Sequence, residues 1–222
     1  KKQNGVQQKQ SLPITEDILN QMMDATEDNL IGIRDRALLA FGFVTGGRRR
    51  SEICDATIER LMRVGDGYVY LAGKSKTNQA GDEKSFPLKD DAMPIIDEWL
   101  NALKDLGITS GPLFRGIDQK GKVSEDPLFP TSVNYLVKKL IRKIGLDDTK
   151  YSAHSLRSGF ATETGLKKIP EQEAMQLTDH HDAKTFRRYR RLGSVLNNPA
   201  ASIFTRKKAA ADDLGSQEDT RS

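Results

Sequence analysis

Residues 61–71, LMRVGDGYVYL, decide the fold class, because a glycine turn joins two short β-prone runs in a chain whose other patterns are helical. A third β-prone run, residues 85–88, follows a polar tip. Together the three runs predict a small antiparallel sheet. The expected fold is therefore mainly α with a small three-stranded antiparallel sheet, of the α+β class.

Helical periodicity flanks this sheet on both sides. Before it, apolar residues repeat at helical spacing over residues 14–26 and 32–45, and a glycine pair ends the second of these helices. After it, helices are predicted at 92–106, 131–144, 154–164, 170–177, 183–192 and 194–203. Residues 107–130 are punctuated by glycine and proline and predict a loop. Trp99 and the apolar helix faces around it are assigned to the core.

Both ends of the chain lack an apolar face. Residues 1–12 predict a flexible arm or linker stub, and residues 206–222 predict a disordered tail. The folded domain is therefore expected over residues 13–205. Because the chain begins with Lys1 rather than Met, we expect a piece from which an N-terminal part is missing.

The composition limits the class of protein. The chain has 222 residues, of which 36% are hydrophobic and 30% are charged, which suits one medium-sized domain. Its single cysteine, Cys54, excludes an intramolecular disulfide and a cysteine-only zinc site and favours a reducing compartment. No run approaches the roughly 18 to 20 apolar residues of a membrane span. We therefore expect a soluble intracellular protein with no membrane partner.

The formal net charge of +4 conceals clusters of basic residues. They lie within residues 48–50, 138–143 and 187–191. Such clusters bind polyanions, since each neutralised phosphate releases counterions, but solvated helix faces carry the same residue types. Charge alone leaves a nucleic-acid surface and a plain solvated surface both open.

Two familiar ligand sites are not expected. Residues 72–75, AGKS, resemble the end of a phosphate-binding loop, but that loop needs a glycine where Tyr68 stands. The three histidines form no His-x-x-x-His helix pair and are accompanied by no acidic cluster, so the sequence does not indicate a metal site. We therefore predict no ATP site, no metal and no cofactor.

Four motifs carry the chemistry: GRRRSEI at 47–53, GKSKT at 73–77, AHSLRSGFATE at 153–163 and TDHHDAKTFRRYRR at 178–191. In this order they resemble the tyrosine recombinases, the phage integrase family, over about residues 12–204. The family motif is Arg-x-Ser-Glu, a hairpin lysine, His-x-x-Arg, a second histidine and a tyrosine nine residues later. Taken singly, a surface tyrosine or a core histidine is the simpler interpretation, and only the ordered set favours the family.

The resemblance implies a catalytic set and the DNA breaking-rejoining enzyme fold. The catalytic residues it assigns are Arg49, Lys76, His154, Arg157, His180 and Tyr189, with Glu52 in a supporting role. Glu52 follows Arg49 by three residues, so on a helix the two side chains can pair. A plain surface ion pair is the competing interpretation of that spacing.

These residue types suit metal-free cleavage of a phosphodiester. Arg49 and Arg157 offer rigid forks of donors to the non-bridging oxygens, and Lys76 can protonate the leaving 5′ oxygen. Tyr189 is the nucleophile, and four neighbouring arginines favour its phenolate. A phosphotyrosine conserves the bond energy, so no ATP is required.

Two departures from the family pattern affect these assignments. Counting back from Glu52 selects Arg49 as the first catalytic arginine, whereas counting forward from Thr45 selects Arg48. We assign Arg49, because Glu52 anchors the motif. Asp179 stands where the family commonly has glycine, and its carboxylate is expected to alter the charge state of His180.

The implied function is site-specific recombination or integration of DNA, through a 3′-phosphotyrosyl intermediate, by a mobile-element type of enzyme. The implied partners are double-stranded DNA and further copies of the chain, four in the synapse, and an accessory DNA-bending protein is a further candidate. The expected location is the bacterial cytoplasm, at the nucleoid. A type IB topoisomerase or telomere resolvase is the nearest alternative, and a catalytically silent DNA-binding module is the alternative of another class.

Overall fold

This computed structural model describes residues 11–73, 84–178 and 183–198, and more than half of these residues lie in helices. The α-helices of these residues are α1 (Glu16–Asp24), α2 (Leu30–Val44), α3 (Arg50–Cys54), α4 (Ala92–Asp105), α5 (Pro130–Lys143), α6 (His154–Leu166), α7 (Glu171–Thr178) and α8 (Ala183–Leu196). None of these helices is long and apolar enough to cross a membrane.

The predicted three-stranded antiparallel sheet is confirmed. It consists of β1 (Leu61–Val64), β2 (Gly67–Ala72) and β3 (Lys84–Leu88), in that spatial order. Tyr70 pairs with Leu61 on one side and with Phe86 on the other, and both aromatic rings are buried. Phe41 of α2 meets the Tyr70 ring edge to face, with centroids 4.9 Å apart. This contact seats the sheet on the helical core.

The prediction of a loop throughout residues 107–130 is wrong. A second antiparallel hairpin lies there, formed by β4 (Arg115–Ile117) and β5 (Val123–Pro127). The Arg115 guanidinium stabilises it by donating to four backbone carbonyls, those of Ser110, Pro112, Ser124 and Glu125. Strands this short and polar carry no alternating apolar pattern, so periodicity does not reveal them.

The core is one cluster of buried side chains from α1 to α6 and from strands β2 and β3. Trp99 is fully buried in α4, and its indole N–H donates to the carbonyl of Leu113 at 2.8 Å. On α5 the buried stripe consists of Val133, Leu136, Val137, Leu140 and Ile141. The assignment of Trp99 and of these helix faces to the core is therefore confirmed.

Helices α6 and α8 pack unusually closely. A Cβ on Gly193 would lie 2.1 Å from the carbonyl oxygen of Thr162, so only glycine permits this approach. The predicted break between helices near residue 193 is therefore wrong, and α8 runs without interruption to Leu196. Close packing explains the glycine better than a helix end does. This close packing also holds α8 against α6.

Candidate active site

A glycine turn sets the first arginines of the site against two other helices. Gly46 and Gly47 follow α2 with positive φ angles of 91° and 71°. A Cβ on Gly46 would lie 1.9 Å from the carbonyl oxygen of Leu177, and one on Gly47 would lie 2.3 Å from the Cα of Arg157. Both the backbone conformation and the space thus require glycine. The arginine run that follows therefore begins in direct contact with α6 and α7.

Arg157 is held by the same turn. Its side chain is buried on α6, and Nη1 donates to the carbonyl oxygen of Gly47 at 3.2 Å. His154 lies one helical turn earlier on α6, so both side chains are on neighbouring positions of one helix face. The His-x-x-Arg motif is thereby joined to the loop that carries the triple arginine.

Glu52 fixes the next arginine in two ways. Its Oε2 accepts from the backbone N–H of Arg49, which is the N-cap residue of α3, at 2.9 Å. Its Oε1 accepts from Arg49 Nη1 at 3.1 Å. The predicted pairing of these residues is present, and it combines helix capping with orientation of the guanidinium.

These residues line a common cavity of about 260 Å³. Its walls are formed by Arg48, Arg49, Arg50, Asn134, Ser152, Ala153, His154 and Arg157. Three predicted site residues, Arg49, His154 and Arg157, are thus brought together. The cavity is lined by four arginines, which suits it to an anion with several oxygens.

Tyr189 packs beside this group. Its ring is 4% exposed, and its centroid lies 6.4 Å from that of His154 in an edge-to-face arrangement. Thr162 of α6 donates from its hydroxyl to the Tyr189 carbonyl at 3.3 Å. The contact of α6 with α8 therefore brings the predicted nucleophile to the predicted histidine.

The arginines beside Tyr189 in sequence have other partners. Arg187 donates to Glu171 at 2.7 Å, and Arg190 donates to the carbonyl of Ile169 at 2.5 Å. These two guanidinium groups are thus held at the start of α7 and in the loop before it.

The imidazole of His154 is held toward its neutral form. Burial lowers its pKa below the usual 6.5, and the positive charges of Arg157 and then Arg49 lower the pKa further. A neutral imidazole has one nitrogen available to accept a hydrogen bond or a proton. Near neutral pH this residue is therefore suited to act as an acceptor rather than as an additional cation.

Arg48 and Arg49 occupy different environments. The side chain of Arg49 is 38% exposed, whereas that of Arg48 is 3% exposed. Arg48 Nη2 donates to the carbonyl of Leu177 at 2.7 Å, and its guanidinium carbon lies 3.9 Å from the centroid of the Phe86 ring. Both arginines reach the cavity wall, but Arg49 is the more accessible.

Two predicted site residues, Lys76 and His180, lie outside the described residues, as does Asp179. The elements next to these residues are described: Ala72 of β2 pairs with Lys84 of β3, and α7 ends at Thr178. Lys76 belongs to the segment that joins β2 to β3, and His180 belongs to the segment after α7.

Asn134 is a cavity residue that the sequence did not indicate. Its side-chain oxygen accepts from the backbone N–H of Ala153 at 2.9 Å, just before His154. It fixes the start of α6. A single asparagine on an amphipathic helix gives no motif by which it could have been found.

Comparison with known proteins agrees with these motifs. The sequence profile of the phage integrase family matches residues 13–194. An integrase/recombinase XerD homologue of Selenomonas ruminantium is 30% identical over 214 residues, which cover 93% of this chain and 62% of that protein. The tyrosine recombinase XerA of Pyrococcus horikoshii is 29% identical over 181 residues, which cover 81% of this chain and 57% of that protein.

A solved structure supports the fold assignment. The XerH site-specific recombinase, bound to a palindromic difH substrate after cleavage, superimposes with a TM-score of 0.68 and 22% identity. The match covers 87% of this chain and 53% of that one. The chain thus spans roughly three fifths of the length of the curated relatives and about half of this structural neighbour.

Proposed function

This chain belongs to the phage integrase family, and on that premise we propose that it is the catalytic part of a site-specific DNA recombinase. The enzyme cuts and rejoins duplex DNA through a 3′-phosphotyrosyl intermediate on Tyr189. One observation carries the proposal: Tyr189 lies beside His154, next to a cavity that Arg49 and Arg157 line. A nucleophile, a neutral acceptor and two phosphate-binding forks are the groups that metal-free phosphoryl transfer needs.

The proposed reaction exchanges one phosphodiester for another. The phenolic oxygen of Tyr189 forms a bond to phosphorus, the bond from phosphorus to the 5′ oxygen breaks, and the phenolic proton passes to His154. Lys76 gives its proton to the departing 5′ oxygen. A 5′ hydroxyl from a partner duplex then attacks the phosphotyrosine and releases Tyr189. The phosphotyrosine conserves the energy of the phosphodiester bond, so the proposed reaction needs neither ATP nor a metal.

Arg49 and Arg157 are assigned to the developing charge on the non-bridging oxygens. Arg157 is preset by its bond to Gly47, and Arg49 is preset by Glu52. Preset donors add most in a transition state, because they need no reorganisation as charge develops. The greater exposure of Arg49 supports its assignment over Arg48.

The DNA is proposed to lie across the cavity mouth and the start of α5. Phe129 and Tyr135 are 74% and 70% exposed there, and Asn134 between them lines the cavity. Exposed aromatic rings beside a cationic cavity suit contact with bases and sugars. We further propose that four copies assemble on two duplexes and that a further N-terminal domain completes the contact around the DNA. An accessory DNA-bending protein is proposed to take part, and the enzyme is proposed to work at the nucleoid.

A sequencing experiment tests this function without a known target. The protein is incubated with a pool of duplexes that carry random sequence and a nick, and DNA that stays attached in detergent is recovered and sequenced. We expect one enriched site, attachment to a 3′ phosphate, and joined strands from two different duplexes. Religation of the same duplex alone would indicate a topoisomerase, and salt-sensitive binding without attached DNA would indicate a silent binding module.

A further inference from the structure

The extra arginine of the GRRRSE motif, Arg48, lies where three elements meet. Its guanidinium stacks on the ring of Phe86 in β3, donates to the carbonyl of Leu177 in the last turn of α7, and lies 3.8 Å from Glu52 of α3. The side chain is 3% exposed, so these contacts are made away from water. A planar guanidinium can stack and donate in its plane simultaneously, which a lysine ammonium cannot do.

Glu52 is shared between two arginines. Its Oε2 is the atom that faces Arg48 Nη1, and the same oxygen accepts from the backbone N–H of Arg49. Its Oε1 binds the Arg49 guanidinium. The carboxylate is 15% exposed, and a carboxylate this buried depends on nearby positive charge. Whatever fixes Glu52 therefore also fixes the direction of the Arg49 side chain.

We propose that Arg48 is a positioning residue that holds Glu52, and through it Arg49, at the cavity, while tying α3 to the end of α7. This assignment rests on the proposed function in so far as Arg49 binds the scissile phosphate. Arg48 reaches the cavity wall, but the Leu177 carbonyl and the Phe86 ring already hold its guanidinium, so we assign it to positioning rather than to the phosphate clamp.

The first test requires no DNA. The positive charge of Arg49 is one cause of the lowered pKa of His154. The His154 imidazole is titrated by NMR in the wild type, Arg48→Met, Arg49→Met and the double variant. We expect either single change to raise the pKa of His154, and the double variant to raise it no further than Arg49→Met does. Arg48→Met without effect, or a rise that adds to that of Arg49→Met, would overturn the proposal.

Two further variants separate positioning from folding. Arg115→Met also removes a buried guanidinium that binds backbone carbonyls, but in the β4–β5 hairpin. It should lower the melting temperature as Arg48→Met does and leave the pKa of His154 unchanged. If Arg48→Met does not fold, Arg48→Lys keeps the charge but loses the stacking on Phe86 and the in-plane donation. Arg48→Lys should also raise the pKa of His154, and no change there would contradict the proposal.

Cleavage of the site recovered by sequencing adds the second measurement. Arg48→Met should slow formation of the covalent adduct at saturating protein by about 10- to 100-fold, with DNA affinity within roughly threefold of wild type. Combining it with Glu52→Gln should be no worse than the slower single variant, because both act on Arg49. If the double variant were slower by the product of the two single effects, the proposal would be overturned. If the wild type forms no adduct, the proposed function fails, whereas the titration still decides the role of Arg48.

Discussion

The rings of His154 and Tyr189 meet edge to face, with centroids 6.4 Å apart, although they belong to different helices. The contact exists because α6 and α8 approach each other at Gly193, where any side chain would collide with Thr162. Packing of the two helices thus places the proposed nucleophile beside a histidine whose pKa is lowered.

The charge state of His154 gives a pH prediction. Its pKa in the folded protein lies below 6.5, because it is buried and faces Arg157 and Arg49. The unfolded chain therefore takes up this proton first as the pH falls. The stability that this residue contributes is fully present above about pH 6.5 and is lost as the pH falls through the folded pKa.

Urea unfolding between pH 7.5 and about pH 4.5, compared between the wild type and His154→Gln, measures this effect. We expect the acid loss of stability to be smaller in the variant. Identical pH dependence of the two proteins, or an NMR titration of His154 above 6.5, would contradict the assignment.

Gly47→Ala tests the turn. The added Cβ would lie 2.3 Å from the Cα of Arg157, on a residue with a φ of 71°. We expect the free energy of unfolding to fall by about 2 kcal/mol or more and the Tm to fall by roughly 5 °C, together with loss of DNA cleavage. Gly116→Ala is the matched control, since its Cβ would meet only Ser124 at 3.7 Å. Equal tolerance of the two changes would show that the turn does not need glycine.

Conservative changes test the two arginines that are proposed to clamp the phosphate. Arg49→Lys and Arg157→Lys keep the charge but lose the fork that bridges two phosphate oxygens. Cleavage should fall by roughly one to three orders of magnitude in each variant, measured as the rate of covalent adduct formation. A nearly normal Arg49→Lys together with an inactive Arg48→Lys would assign the clamp to Arg48 instead.

Local sequence patterns predict some features of this fold and do not predict others. The three-stranded sheet follows from short β-prone runs joined by a glycine turn and a polar tip, and the buried stripe of α5 follows from helical periodicity. The β4–β5 hairpin depends on the carbonyl bonds of Arg115, and no local pattern reports such bonds. The order of motifs was sufficient to nominate Arg49, His154, Arg157 and Tyr189. Arg48 and Arg49 differ in how deeply their side chains are buried, and only the tertiary structure shows this difference.

The role of Lys76 remains a sequence prediction that chemistry can test. A general acid is needed because the 5′ alkoxide is a poor leaving group near neutral pH. With sulfur at the bridging position, the leaving thiolate needs little protonation. Lys76→Ala should therefore be slow on ordinary DNA and close to wild type on the sulfur-bridged substrate, whereas Arg157→Ala should stay impaired on both. Equal defects of Lys76→Ala on the two substrates would assign it to phosphate binding or folding, and rescue of Lys74→Ala would identify that lysine as the acid.

The nucleophile is the central claim, and Tyr189→Phe tests it most directly, since the variant removes one hydroxyl from a ring that stays packed against α6. Wild type, Tyr189→Phe and Tyr151→Phe, which alters another buried tyrosine, are incubated with end-labelled nicked duplex of the recovered site and resolved in detergent. We predict a covalent protein–DNA band for the wild type and Tyr151→Phe, and none for Tyr189→Phe at nearly unchanged DNA affinity. A covalent band of wild-type intensity from Tyr189→Phe would contradict the account.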